Sequence, residues 1–274
     1  KAVPEMLSLI ARAREEGLDV MCDAYPYTAG STQLIHVLPP EFQAGGTETL
    51  TKRLRDCAAR EEMRARMETG SDFENITLLV GFENVVAIGL RTDEYRRFEG
   101  KSIAEIALAL GKDPYDALFD LLAAEKCEAG MIDYISDEED LKAILRAPFS
   151  GVISDATYPG TGQVHPRVYG AFARLIETYV VREKVLTLEQ AVHKVTLQAA
   201  ERFSLAGKGK IEVGADADLL LFAPEKIRER GTYLAPRACA SGFDEVFVLG
   251  ERVIENGEYR GGSSGEMLGL RMEY

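Results

Sequence analysis

Val3, Met6, Leu7 and Ile10 recur three and four positions apart, which puts them on one face of a helix over residues 2–16 that Gly17 ends. The apolar run LDVMC at 18–22 follows, so a helix feeds a strand. A second helical pattern spans Thr47 to about Met67, with Leu50, Leu54, Cys57 and Ala58 inward. Its basic residues, Lys52, Arg53, Arg55, Arg60, Arg64 and Arg66, fall among acids and read as a solvated face. ITLLV at 76–80 and NVVAIGL at 84–90 read as strands. Ser102 with Glu105, and Asp113 followed by Pro114, are helix-opening signatures that satisfy the free N–H groups of a first turn. Ser136 with Glu139 predicts another helix over 137–146, closed by Pro148. GVISD at 151–155 has the apolar core of a buried parallel strand and carries Asp155 at its C-terminal tip.

Beyond a Gly-rich loop the pattern predicts helices from about Pro166 to Glu183 and, opened by Thr187 with Gln190, as far as Phe203. From Gly207 it changes to short strands and turns, KIEVGADADLLLF and DEVFVLGERVIENGEY, with Gly250-Glu251 and Asn256-Gly257 as hairpin signals. A domain boundary is therefore expected near 205, between an α/β body and a small β module, with a flexible tail at 260–269. No internal repeat is visible.

The 274 residues suit one large or two modest domains, and 46% hydrophobic with 28% charged residues is an ordinary globular composition. No apolar stretch approaches the length of a membrane helix. Thirty-two Lys and Arg against 45 Asp and Glu leave a net charge of -13, which repels a phosphate backbone and argues against nucleic acid as a partner. Cys22, Cys57, Cys127 and Cys239 are isolated, without CxxC spacing, and are expected as buried reduced thiols. The opening KAVPEML has neither an initiator Met nor a signal core, which leads to the expectation of a cytoplasmic chain that begins inside a longer polypeptide.

An acid at a strand end beside a Gly-rich loop is where α/β barrels keep catalytic groups, so Asp155 is a candidate; a loop cap is the alternative. Arg167, in HPRVYGAFAR at 165–174, either clamps a carboxylate through two parallel bonds or pairs with a surface acid. DAYPYTAGST at 23–32 gathers Tyr25, Tyr27, Thr28, Ser31 and Thr32 in one loop, able to orient a polar ligand or simply to pack with its hydroxyls bonded locally. Of the three histidines, His193 reads as structural or surface and His36 as undecided; no HxH, HExxH, GxSxG or GxxxxGK[ST] pattern accompanies His165 or any other residue.

Taken in order, DAYPYTAGST, Ser154-Asp155, HPRVYGAFAR, LTLEQAVHKVTLQAAERFSL at 186–205 and GKGKIEVGADADLLLF at 207–222 resemble the amidohydrolase superfamily, and most closely its N-acyl-D-amino-acid deacylase branch. The resemblance implies an α/β fold built on a zinc-bearing (β/α)8 barrel with a small β-sandwich. On it, residues 1–27 and 137–204 correspond to the last barrel strands and helices, 28–136 to an inserted lid, and 205–274 to part of the sandwich. It assigns Asp155 as metal ligand and proton shuttle, and Tyr25, Ser31 and Arg167 as holders of the substrate carboxylate. The family's HxH, bridging Cys and later ligand histidines have no counterpart and are expected before Lys1. Zinc is accordingly expected in the complete enzyme but not bound stoichiometrically by this chain, which is expected to be inactive alone and to self-associate through surface left uncovered. Two other readings stay open: a cyclic-amide hydrolase of the dihydropyrimidinase kind, and a metal-free binding or assembly module.

Overall fold

The computed structural model describes residues 2–157 and 162–268. Nine strands occur among them: β1 (Cys22–Ala24), β2 (Gly30–Gln33), β3 (Val85–Ile88), β4 (Gly130–Asp133), β5 (Ser150–Val152), β6 (Leu219–Phe222), β7 (Phe243–Val248), β8 (Glu251–Glu255) and β9 (Glu258–Tyr259). They form three sheets: a parallel pair β1-β5, an antiparallel sheet in the order β2-β4-β3, and an antiparallel sheet in the order β6-β7-β8-β9. Helices fill the intervals, so the mixed α/β content read from the sequence is present.

The parallel pair decides where chemistry can sit. Cys22, Asp23 and Ala24 lie opposite Ser150, Gly151 and Val152, and the Ile153 N–H donates to Ala24 O at 3.0 Å. The two chains therefore leave this small sheet side by side at its C-terminal end, one into the tyrosine-rich loop and the other into the segment bearing Asp155. At the opposite end Lys194 is buried and gives Nζ to Ala147 O at 2.6 Å, Ser150 O at 2.7 Å and Ser150 Oγ at 3.0 Å. Burial pulls its pKa down, and the three acceptors replace the lost water.

Two larger apolar clusters form the core, beside a small one of Ala29, Ile88 and Ile132. One is drawn from residues 34–131 and includes Leu34, Met63, Ile103, Phe119 and Met131. The other is drawn from residues 141–227 and includes Leu141, Val152, Tyr179, Ala191 and Ile227.

Several elements match their sequence signals. The helix Val3–Glu15 forms, the boxes at Ser102 and Thr187 both close, and Asp113 caps Pro114–Ala124. The basic face of the second pattern is solvated and paired: Arg66 meets Glu41 and Asp72, and Arg64 meets Glu68 and Asp113.

Other elements differ, each for a local reason. The run at 18–22 enters its strand only at Cys22. ITLLV is a helix, Ile76–Val80, because the Asn75 side chain accepts from Leu78 N and starts a turn. The single helix expected over 47–67 is two, Gly46–Arg53 and Cys57–Thr69, since Asp56 accepts from Ala59 N and opens a new one. Asp137, not Ser136, caps Glu138–Arg146. The helix expected to Glu183 is α-helical over Arg167–Arg174 and widens to a π-helix over Leu175–Arg182. The one expected over 188–203 breaks at Thr196, where φ is -128° and ψ is -91°.

Only Leu219–Phe222 of the KIEVGADADLLLF run forms a strand. The β7–β8 turn falls one residue earlier than expected, on Leu249-Gly250, and Asn256-Gly257 turns as anticipated. All four residues have positive φ (48°, 82°, 52° and 78°), as a two-residue hairpin turn requires. Cysteine burial was only half right: Cys127 is buried and Cys22 half-buried, whereas Cys57 and Cys239 are exposed, all four with free thiols. The tail expected beyond 260 is described only as far as 268.

The cap correction is testable: Asp137→Ala should cost about 1 kcal/mol in urea unfolding, with Ser136→Ala within about 0.5 kcal/mol of the parent.

Candidate active site

Arg167 opens the helix Arg167–Arg174, and its side chain is 3% exposed. A guanidinium so withdrawn from water needs anions and acceptors around it. One nitrogen, Nη2, lies 2.9 Å from Oδ2 of Asp155 and donates to Ser31 O at 3.2 Å, while the planar group sits over the Tyr25 ring with Cζ 4.5 Å from its centre. Asp155, Ser31 and Tyr25 therefore meet at the Arg167 cation. Burial raises the Tyr25 hydroxyl pKa, and the neighbouring guanidinium only partly offsets this.

Two details refine the expectation. β5 stops at Val152, so Asp155 stands three residues past the strand instead of at its tip, half-exposed and in a left-handed conformation with φ 47°. Ser31 reaches Arg167 through its carbonyl; its hydroxyl donates to Met131 O at 2.9 Å and must rotate before it can donate to a ligand.

Behind the clamp lies His165, 2% exposed. Its Nδ1 accepts from Arg167 N at 3.0 Å, which leaves Nε2 as the protonated nitrogen, donating to Ala29 O at 3.0 Å. Burial, reinforced by the Arg167 charge, pulls its pKa down to about 3, so the ring is neutral. The imidazole thereby ties the start of the Arg167 helix to the residue preceding β2. Tyr27 and Tyr233 meet it edge-on, at 4.9 Å and 5.2 Å between centroids. The Tyr27 hydroxyl in turn donates to Glu229 Oε1 at 2.6 Å, and Arg174 donates to Glu229 Oε2 at 3.1 Å and to Pro26 O at 2.6 Å. Gly170 makes room for this: a Cβ there would lie 2.9 Å from the Tyr27 oxygen.

A cavity of about 930 Å³ opens beside Arg167, lined by Ser31, Gln33, Glu99, Gln163 and His165 among others. Asp133, at the end of β4, is 5% exposed, and burial raises its carboxyl to about 6. It faces Gly30, where a Cβ would lie 2.7 Å from Oδ1. Sequence reasoning missed Asp133, Arg174, Glu229 and Tyr233. The last two fall in 223–242, a stretch with no apolar period, and Asp133 has meaning only through Gly30 across the sheet. Among the described residues no group of three or more His, Cys, Asp and Glu is placed to hold a metal ion; Asp155 is a single candidate donor.

Asp155 and the buried Arg167 thus meet beyond the C-terminal end of the parallel pair, and the chain belongs to the amidohydrolase family, which matches residues 4–253. Within that family it lies on the D-aminoacylase branch. It is 30% identical over 244 residues to the N-acyl-D-glutamate deacylase of Alcaligenes xylosoxydans xylosoxydans, covering 89% of this chain and 40% of that protein. A crystal structure of D-aminoacylase superposes with a TM-score of 0.71 at 28% identity, over 95% of this chain and 45% of that one. The N-acyl-D-glutamate deacylase of Bordetella bronchiseptica, solved with zinc and a phosphonate inhibitor mimicking the tetrahedral intermediate, gives 0.67 at 28% identity over 92% and 43%. The chain thus spans less than half the length of these relatives. No described helix is long and apolar enough to cross a membrane.

The two shifted groups act oppositely on stability. His165 stays neutral in the fold down to about pH 3, so as pH falls below about 6.5 the unfolded chain takes the proton first and stability drops. Asp133 holds its proton up to about pH 6, above the unfolded value near 4, so stability drops as pH rises between them. Asp133→Asn should therefore gain roughly 2–3 kcal/mol at pH 7–8 relative to the parent and nothing at pH 4, measured by urea unfolding across pH.

Proposed function

We propose that this chain carries the substrate-carboxylate clamp and the proton-shuttling acid of an amidase acting on N-acyl-D-amino acids. The convergence of Asp155, Tyr25 and Ser31 on the buried Arg167 supports this reading most directly, and the names of the relatives supply the substrate class. On this reading residues 1–27 and 137–204 are barrel portions, 28–136 a lid with its own core, and 205–274 a portion of the small sandwich, in a cytoplasmic enzyme. The parallel β1-β5 pair, the separate cluster within 34–131 and the antiparallel sheet after 219 are consistent with that division.

Each residue has a physical task. Arg167 offers a charge-assisted fork to the substrate carboxylate, made stronger by its withdrawal from water. Tyr25 keeps the fork flat against its ring, and the Ser31 carbonyl fixes one nitrogen, so the carboxylate is met in a fixed orientation and one configuration at the α-carbon aims the amide correctly. Asp155 holds the outer side of the guanidinium and remains half in solvent, placed to take a proton from the attacking water and return it to the leaving nitrogen. Zinc, when bound, would polarise the amide and acidify that water. Asp155 alone does not make a metal site, so the other ligands are proposed to come from polypeptide outside this sequence, and the isolated chain to be inactive.

In a polypeptide completing the relatives' length and supplied with zinc, Arg167→Ala should raise KM for N-acetyl-D-amino acids by about 100-fold or more with metal retained, and Asp155→Asn should remove turnover. Hydrolysis of hydantoins in preference to these substrates, with Arg167→Ala neutral, supports the cyclic-amide alternative instead.

The uncovered surface is also specific. Ile211 and Val213 are 92% and 106% exposed, and Leu220 and Leu221 of the edge strand β6 are exposed as well. Such an apolar edge is expected to pair with a second copy of the isolated chain. Light scattering after size exclusion should give a mass above that of the monomer, returning to it in Val213→Lys/Leu221→Lys; a monomeric parent removes the self-association proposal.

A further inference from the structure

Strand β3 ends at Ile88, and the next four backbone N–H groups find no strand partner. Two glutamates take all four. Glu99 accepts from Gly89 N at 2.8 Å on Oε1 and from Leu90 N at 2.7 Å on Oε2; Glu125 accepts from Arg91 N at 2.9 Å and Thr92 N at 3.0 Å, and from the Thr92 hydroxyl. Glu125 spends its bonds within this body. Glu99 does not: its Oε1 also accepts from Gln163 N at 2.9 Å, across the cavity on the segment that leads into His165 and Arg167. Gly162, at φ 80°, approaches so closely that a Cβ on it would lie 3.2 Å from Gly89 Cα. The Gln163 side chain donates to Tyr233 O, and Arg237 donates to Gly162 O at 3.0 Å, so the same two residues are gripped from the C-terminal side as well.

We infer that Glu99 is a positioning residue for the clamp: one carboxylate, by accepting N–H groups from both Gly89 and Gln163, fixes the segment that delivers Arg167 against the body that carries Ser31. Besides the Arg167 guanidinium's own bond to Ser31 O, the two halves of the clamp are tied by His165 on Ala29 and by Glu99 on Gln163, and of these two only the second uses a charged side chain. A charged acceptor shared by N–H groups on two segments holds each more firmly than a neutral one. The segment 162–166 therefore owes part of its order to a side chain more than sixty positions away. The kinetic consequence rests on the deacylase reading above; the structural one does not.

The test is hydrogen exchange on this chain by mass spectrometry. In Glu99→Ala, amides within 162–166 should exchange about tenfold faster while those of β4 are unchanged, and Glu125→Gln should quicken 91–92 only. Should Glu99→Ala not fold, Glu99→Asp is read the same way, since it keeps the charge but is one methylene too short to span the three donors. In the zinc-loaded, complete enzyme, the Glu99 variant that folds should raise KM about tenfold with kcat within about twofold, the signature of a misplaced binding group. Unchanged exchange at 162–166 in a folded Glu99 variant, or equal acceleration by Glu125→Gln, overturns the inference. An inactive parent enzyme overturns the functional reading and leaves the exchange result to decide this one.

Discussion

The arrangement depends on a guanidinium that has been taken out of water. Arg167 is buried at the start of its helix, and such a group is tolerated only when anions, acceptors and an aromatic face replace its hydration. Asp155, Ser31 and Tyr25 do this, Asp155 from the segment after β5 and the other two from the stretch that runs from β1 into β2. The parallel contact of β1 with β5 brings those two stretches together, and β4 holds the Ser31 end through its ladder with β2. Lys194 obeys the same rule at the far end of the parallel pair, where two carbonyls and the Ser150 hydroxyl replace its water.

The order of the chain around this point was largely legible. Short polar residues ahead of apolar periods announced the helices at Ser102, Asp113 and Thr187, because capping is a local bargain between one side chain and the next turn's N–H groups. Asp155, Tyr25 and Ser31 stood out as polar groups beside strand-like runs, and Arg167 as a cation opening a predicted helix. The failures are equally physical. ITLLV is apolar but for Thr77 and too short for periodicity to separate a one-turn helix from a strand, and Asn75 decided it. Asp56 interrupts a charged helical pattern without altering its spacing, so the break there could not be seen.

What escaped altogether were groups whose partners are distant in sequence. Glu229 serves Tyr27 and Arg174, Tyr233 covers His165, and Asp133 stands against a glycine on the neighbouring strand. None has a local signature, since the pairing exists only after the β1–β2 loop, the helix after Arg167 and the 223–242 stretch have converged. Ser31 lies beside the guanidinium but meets it through its backbone oxygen, a contact available to any residue type.

The left-handed backbone at Asp155 separates two demands that usually travel together. Asparagine and glycine also accept that conformation, so each could replace the aspartate without rerouting the chain. Either would strip the only carboxylate that, among the described residues, pairs with the inner guanidinium, leaving a cation in the interior beside an aromatic face and a carbonyl. At this position, then, the substitutions gentlest to shape are the harshest to charge, and the loop's path records nothing of the loss.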